Sequence, residues 1–318
     1  MDLKQIQYFL QIARLQSFNR AASHLYVAQS ALSRQVRLLE EELGTPLFRR
    51  HARGVQLTRA GEKLLERGEL LLRFSRQMLD EVAAEGAEPR GEVIIGLPPS
   101  LQDVLAVPLL MSMRQRYPGI RLTAWIGTSM ILKEMLDSGG LDLAVIGALD
   151  TEADMATHPL FRDSLCLVVA PGSALPRGPI TCSQLVDLPL ILTSRPNSMR
   201  RLVEIAAAKV KVRLNVIMEV NYVPLILELV RRGVGHTLLP FPAVEQRVAA
   251  RELEVIKVTG LSYEWAMALP KDSPGSVGTK CVEQLLFEIT RERFGSAAFA
   301  RKSRGRAKNR PRTPRSSA

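Results

Sequence analysis

Over the first 85 residues, apolar and polar positions alternate with helical spacing, and the pattern is broken at short intervals. Leu3, Ile6, Phe9, Leu10 and Ala13 recur every three or four residues and predict a helix over 2–14 with one buried face. Ser17 is an N-cap for a second helix over 18–25. Ala21 and Ala22 inside it lack the bulk to hold a crossing helix away. After a turn at Tyr26–Ala28, a third helix runs from Gln29 to near Glu42. Leu32, Val36, Leu39 and then Leu43 face inward, and Gly44 ends it. Leu47–Arg50 and Val55–Thr58 read as two short strands around a turn at His51–Gly54. Thr58 then caps a helix to near Glu85, about 40 Å long at about 1.5 Å per residue. Leu65, Gly68, Leu72, Ser75, Leu79 and Val82 form a heptad-like seam on it, with Leu64, Leu71 and Met78 beside them. Leu65, Leu72, Leu79 and Val82 are therefore the expected dimerisation residues; packing against the same chain is the alternative.

Beyond a hinge at Gly86–Gly91 the pattern becomes α/β. Strands are predicted at Glu92–Gly96, Arg121–Ile126, Leu141–Gly147, Ser164–Ala170, Leu190–Thr193, Asn215–Val220, Thr237–Leu239 and Ala266–Leu269. Ser100 is expected to cap a helix running to Tyr117, and Thr128 or Ser129 the next one, ending at Gly139-Gly140. Helices follow at 197–210, 222–232 and 279–294. Leu141–Gly147 is almost continuously apolar, as suits the middle of a parallel sheet covered on both faces. Two crossings of the chain, near 163 and 266, predict two lobes with a cleft between them.

Charge sharpens this division. The chain carries a net +11, distributed unevenly. Eight Lys and Arg without an acid lie beyond Gly295, and the first 60 residues carry nine cations against four acids, which leaves the middle nearly neutral. Basic ends around a neutral body predict nucleic acid at the ends and another task between. Cys166, Cys182 and Cys281 are too scattered for a disulfide framework, and the N-terminus has no signal-peptide pattern. With no long apolar run, a cytoplasmic chain without membrane attachment is expected.

The polar face of the third helix carries Gln29, Ser30, Ser33, Arg34 and Arg37. Glutamine can bridge an adenine edge, arginine can bridge guanine or hold phosphate, and short serines let a helix sink into a major groove. Arg49, Arg50 and Arg53 would line the following hairpin and meet DNA backbone. An ordinary solvated face and a partnerless basic hairpin are the plainer readings, as is a helical head that serves only protein interaction. In the larger domain, Ser100, Thr128, Ser129, Thr193 and Ser194 sit at strand ends and helix starts, where free backbone N–H groups attract an anion. Each could equally be a cap and nothing more. His236 reads as structural. No HExxH, GxxxxGK[ST] or GxSxG pattern occurs, and the four histidines lie in unrelated segments, so neither an enzyme, a metal nor a cofactor is expected.

These residues resemble the LysR-type transcriptional regulators over roughly 1–295. The specific stretch is FLQIARLQSFNRAASHLYVAQSALSRQVRLLEEELGTPLFRRHARGVQLTRAG; LDLAVIG and GVGHTLLP match more weakly. The resemblance implies an N-terminal winged helix-turn-helix with a long linker helix, plus an α/β two-lobed, periplasmic-binding-protein-like (type 2) effector domain. The implied divisions are 1–58 for DNA binding, with the helix-turn-helix at about 18–37, and 59–88 for dimerisation. The effector domain follows at 91–295, with lobe 1 at 91–162 and 266–295 and lobe 2 at 163–265, and then a basic disordered tail at 296–318. Gln29, Ser30, Ser33 and Arg34 would contact double-stranded promoter DNA, with Arg50 or Arg53 in the wing. The implied assembly is a dimer and then a tetramer that contacts RNA polymerase and answers a small-molecule effector. SRPNSMRR at 194–201 is similar to members that answer nitrogen or aromatic-acid supply. Many members have Ser-Gln-Pro where this chain has Ala28-Gln29-Ser30, and Ala28 cannot cap the recognition helix.

Overall fold

The computed structural model describes residues 1–51, 54–83, 88–152, 155–176, 178–271 and 275–295. Its N-terminal part contains α1 (Leu3–Leu15), α2 (Phe18–His24), α3 (Gln29–Leu43), β1 (Phe48–His51), β2 (Gly54–Leu57) and α4 (Arg59–Ala83). Asp2 and Gln5 form a capping box on α1, and Ser17 accepts from the Arg20 N–H to start α2. Ala21 and Ala22 are buried in one cluster with Ile12, Leu32 and Val36, so the small residues do allow α2 and α3 to approach closely. Leu43, expected inward, is exposed. It lies at the last turn of α3, past the buried Leu39, where the chain turns away at Gly44. Strands β1 and β2 pair antiparallel from Phe48 opposite Leu57 to His51 opposite Gly54.

Thr58 caps α4 through the Gly61 N–H and also donates to the Pro46 carbonyl, which ties the linker helix to the wing. The first half of α4 lies on α1 of the same chain. Leu72 is buried in a cluster with Ile6, Phe9, Leu10 and Leu39, and Leu64 and Leu65 pack against it. A Cβ at Gly68 would stand 3.0 Å from Ile6 Cγ2, so this glycine serves the intrachain contact. The expected seam is therefore divided: Leu65 and Leu72 complete the head, whereas Leu79 is exposed. Leu71, Phe74 and Met78 are exposed with it. The Val82 side chain, residues 86–87 of the hinge expected at Gly86–Gly91 and the expected tail at 296–318 lie outside the described residues.

The larger part contains β3 (Gly91–Leu97), α5 (Val107–Arg116), β4 (Ile120–Ile126), α6 (Ser129–Asp137), β5 (Leu143–Gly147), β6 (Met155–Val169), β7 (Ile180–Thr181) and β8 (Leu190–Leu192). It continues with α7 (Ser198–Lys209), β9 (Val216–Glu219), α8 (Val223–Arg231), β10 (Thr237–Pro240), α9 (Glu245–Ala249), β11 (Glu254–Pro270) and α10 (Val277–Phe294). In lobe 1, β4, β3 and β5 are parallel, and β11 closes the sheet antiparallel beside β5. Alternation along β3 and β5 sends Val93, Ile95, Leu143 and Val145 toward a cluster with Leu105, Leu109, Leu285 and Leu286. Ala144 and Ile146 pack on the other face with Leu132 and Leu136 of α6. Lobe 2 repeats the arrangement: Leu190 and Leu192 share a cluster with Val203 and Ala207 of α7, and Ile191 meets Ile226, Leu227 and Val230 of α8.

The short strands expected at Ser164–Ala170 and Ala266–Leu269 are the ends of two long ones. Strands β6 and β11 pair antiparallel from one lobe into the other, with register shifts between Lys257 and Ser262 and between Trp265 and Ala266. The lobes are thus joined by a continuous two-stranded ribbon that bends at its irregularities.

Candidate nucleic-acid interface and effector cleft

Helix α3 buries Leu32, Val36 and Leu39, which directs its opposite face outward. Gln29, Ser30, Arg34 and Arg37 are exposed there and Ser33 is half-buried. Gln29 donates to the Ser33 hydroxyl at 2.8 Å, so these two candidates on one helical turn hold each other in place. As expected from its side chain, Ala28 occupies the N-cap with extended backbone and makes no capping bond. Just before it, Tyr26 is 96% exposed and sits in the left-handed region at φ 55°, where it makes the tight turn between α2 and α3.

Glu40 fixes the start of the wing. One Glu40 carboxylate oxygen accepts from the backbone N–H groups of Leu47 at 2.7 Å and Phe48 at 3.2 Å. Phe48 packs its ring on Phe9 and Phe18, which holds β1 against the core. Arg49 is exposed on this hairpin. The Arg50 side chain and all of Arg53 lie outside the described residues.

In the effector domain, the C-terminal ends of β3, β4 and β5 lie side by side. Ser100 and Thr128 follow the first two of these ends, and Gly147 closes the third. Ser100 does not cap a long helix. Pro98 and Pro99 impose a 3-10 turn at Pro99–Leu101, a π-type turn follows at Gln102–Ala106, and α5 begins only at Val107. Ser100 is buried in the first of these turns. Thr128 holds the N-cap position of α6 without a side-chain capping bond. Ser129 instead accepts from the Gly147 N–H at 3.1 Å, fixing the start of α6 to the end of β5.

In lobe 2 the candidates have defined partners. The Ser194 hydroxyl accepts from the Asn221 amide, whose oxygen in turn accepts from the Ser194 N–H at 2.9 Å. Ser194 therefore joins the ends of β8 and β9, and its position is set by that pair. The Thr193 carbonyl accepts from Arg200 at 3.1 Å. Thr193 also lines a cavity of about 20 Å³, room for roughly one water, together with Arg200, Thr237 and apolar side chains. Arg200, 6% exposed, meets Glu204 at 2.6 Å and Glu219 at 3.4 Å. Burial works to raise the Glu204 pKa, but hydrogen bonds from Arg195 and Arg200 hold it below the usual carboxylate range.

Residues missed in the sequence stand where the lobes meet. The Tyr263 phenol, on β11, lies 2.5 Å from the Ser198 hydroxyl at the start of α7 and beside Gly147, whose N–H the Ser129 hydroxyl accepts. Beside it, Arg201 donates to the Leu149 carbonyl at 2.5 Å and faces Asp150 at 3.6 Å. Only Tyr263 carried a sequence signal, the alternation of YEWAMAL, and this says burial rather than function. His236 is half-buried with its backbone bridged to Leu190, and burial lowers its pKa. Among the described residues, no three His, Cys, Asp or Glu side chains gather as a metal site, and no helix is long and apolar enough to cross a membrane.

Comparison with known proteins agrees with this architecture. The model of the bacterial regulatory helix-turn-helix protein, lysR family, matches residues 3–62, and that of the LysR substrate binding domain matches 86–290. The chain is 32% identical over 254 residues to the HTH-type transcriptional regulator BbuR of Bordetella bronchiseptica, covering 80% of this chain and 78% of that one. It is 27% identical over 295 residues to the nitrogen assimilation regulatory protein nac of Klebsiella aerogenes, covering 91% and 95%. Among solved structures it is similar to a full-length OxyR variant from Pseudomonas aeruginosa, with TM-score 0.72, 24% identity and 92% and 95% coverage. It is also similar to full-length CbnR complexed with its target DNA, with TM-score 0.65, 20% identity and 92% and 99% coverage. The helix-turn-helix head, the linker helix and the two-lobed domain are thus the parts of one kind of molecule, and the chain belongs to the LysR family of DNA-binding transcriptional regulators, which are not enzymes.

Proposed function

We propose that this regulator is switched by a small anion bound between its two effector lobes. One observation carries the reading: Ser100, Thr128 and the Ser129–Gly147 junction collect at one edge of the lobe 1 sheet, and the start of α7 meets that edge from lobe 2. Crevices at the carboxyl ends of parallel strands suit anionic ligands because helix N–H groups converge there. In this reading Gln29, Ser30, Ser33, Arg34 and Arg37 face the DNA, with Arg49, Arg50 and Arg53 on the wing. The exposed half of α4 pairs with a second subunit in the cytoplasm. A tetramer built from such dimers then changes its contact with promoter DNA and RNA polymerase when the effector binds, and no cofactor takes part. The thiols do not favour a redox switch, since burial raises the pKa of Cys166, Cys182 and Cys281.

The experiment is genome-wide mapping of bound sites with and without candidate metabolites, followed by two variants. Arg34→Ala is expected to weaken operator binding and reduce its salt dependence while the dimer persists. Ser100→Ala is expected to reduce the effector response and leave DNA binding intact. An unchanged dose response in Ser100→Ala rejects the placement in the cleft.

A further inference from the structure

Tyr263 lies where β11 passes between the lobes and is almost fully buried. Its ring packs edge-on against Trp265, with centroids 4.7 Å apart. Its hydroxyl bonds Ser198, the first residue of α7 in lobe 2, and lies against Gly147, whose N–H is held by Ser129, the first residue of α6 in lobe 1. The phenol lies over Gly147: a Cβ on that glycine would come within 1.9 Å of the hydroxyl oxygen. The chain has thus kept its β5 terminus bare where its own aromatic side chain enters the crevice. Arg201 forms a second bridge from α7 to the turn after β5, at Leu149 and Asp150.

We propose that Tyr263 is the gate of the cleft: its phenol fills the space between the Ser129–Gly147 junction and Ser198, and a ligand enters by displacing it and taking over the Ser198 hydroxyl. This rests on the reading of the cleft as the effector site. It makes Tyr263 a specificity-determining residue that selects small ligands with carboxylate-like oxygen acceptors. A larger or purely apolar molecule would leave the buried Ser198 hydroxyl without a partner, which is costly. Burial pushes the Tyr263 pKa up to about 12, so the phenol is neutral at physiological pH and does not itself repel an anion.

The gate is tested first without a ligand, by hydrogen–deuterium exchange on the full-length protein. Tyr263→Phe keeps the ring and removes the bond; Ser198→Ala removes the same bond from the other side. Each is expected to speed exchange of the segments at 144–150 and 197–203 by about tenfold, the upper range for one net hydrogen bond. The double variant is expected to match the single ones, because the two changes delete one interaction. Ser198→Thr, which retains a hydroxyl, is expected to exchange more slowly than Ser198→Ala. Wild-type exchange in both single variants, or additive acceleration in the double variant, overturns the gate. Malonate is the probe for selectivity. Tyr263→Phe is expected to bind it at least about threefold more tightly than wild type, since no phenol bond must open. Equal affinity overturns the gating role. No malonate binding by either protein, beside the expected exchange result, counts against the anionic effector and not against the bridge.

Discussion

Glu40 on α3 holds the backbone of Leu47 at the start of the wing, its carboxylate accepting that N–H at 2.7 Å and the Phe48 N–H at 3.2 Å. Glu40 thereby sets the spacing between α3 and the hairpin that begins at Phe48. Glu40→Ala is expected to cost about 1–3 kcal/mol by leaving two backbone donors without their acceptor. It should also weaken DNA binding more than Glu41→Ala does. Glu40→Gln keeps an acceptor and should lose less. Urea unfolding and operator titration check this; equal behaviour of the alanine variants at 40 and 41 would reject the role.

The missing cap at Ala28 leads to a gain-of-stability prediction. Its backbone is already extended, as an N-cap requires, and no side-chain acceptor is present. Ala28→Ser should stabilise the head by about 1 kcal/mol, seen as a higher thermal midpoint of its unfolding.

Tyr26 gives a second such case by a different mechanism. A left-handed backbone costs a non-glycine residue about 1–2 kcal/mol, and Tyr26 buries no ring area in return. Tyr26→Gly should therefore stabilise the turn by about 0.5 kcal/mol after the larger unfolded-state entropy of glycine is deducted. A destabilised variant would show that the exposed ring has a partner within the folded protein.

The divided linker seam separates assembly from folding. Met78 and Leu79 are 53% and 62% exposed, whereas Leu72 is 8% exposed against Ile6 and Phe9. Met78→Glu and Leu79→Glu should raise the dimer dissociation constant by about tenfold or more, read by sedimentation, with the head still folded. Leu72→Glu should instead unfold the head by about 3 kcal/mol or more, through a charge placed in its core.

Two buried groups set the alkaline limit. Burial pushes Cys166 from 9.0 to about 11 and Tyr263 from 10.0 to about 12. Both are neutral when protonated, so the folded state retains protons that the unfolded chain releases. The stability linked to them is fully present below pH 9 and is lost as pH rises through 9–11 for Cys166 and 10–12 for Tyr263. Denaturant midpoints across pH 8–12 test this. Rapid alkylation of Cys166 in the native protein at pH 8 would contradict it.

The helical head was legible to within a residue or two because its signals are local. Ser17 caps through its own neighbours, Gly44 adopts the left-handed conformation, and Leu32, Val36 and Leu39 repeat with the helical period. Similar local signals placed most strands and helices of the effector domain. The first half of β6 and of β11 escaped because HPLFRD and VTGLSYE mix polar and apolar residues at a bend, where no single sheet face is buried. Serine before a helix commonly caps it, which is what the local pattern at Ser100 predicts; the two prolines ahead of it dictate a tighter turn instead.

What the sequence determined, then, is the set of elements and the face each one buries, since propensity and periodicity act within a few residues. Tertiary structure decided which partner each face meets. Heptad spacing is the same for a leucine that packs on α1 and for one that awaits a second subunit, and only Leu72 against Ile6 tells them apart. The meeting of Tyr263 with Ser198 and Gly147, residues far apart in the chain, is likewise set by how two lobes close around one ribbon, a relation that no local pattern encodes.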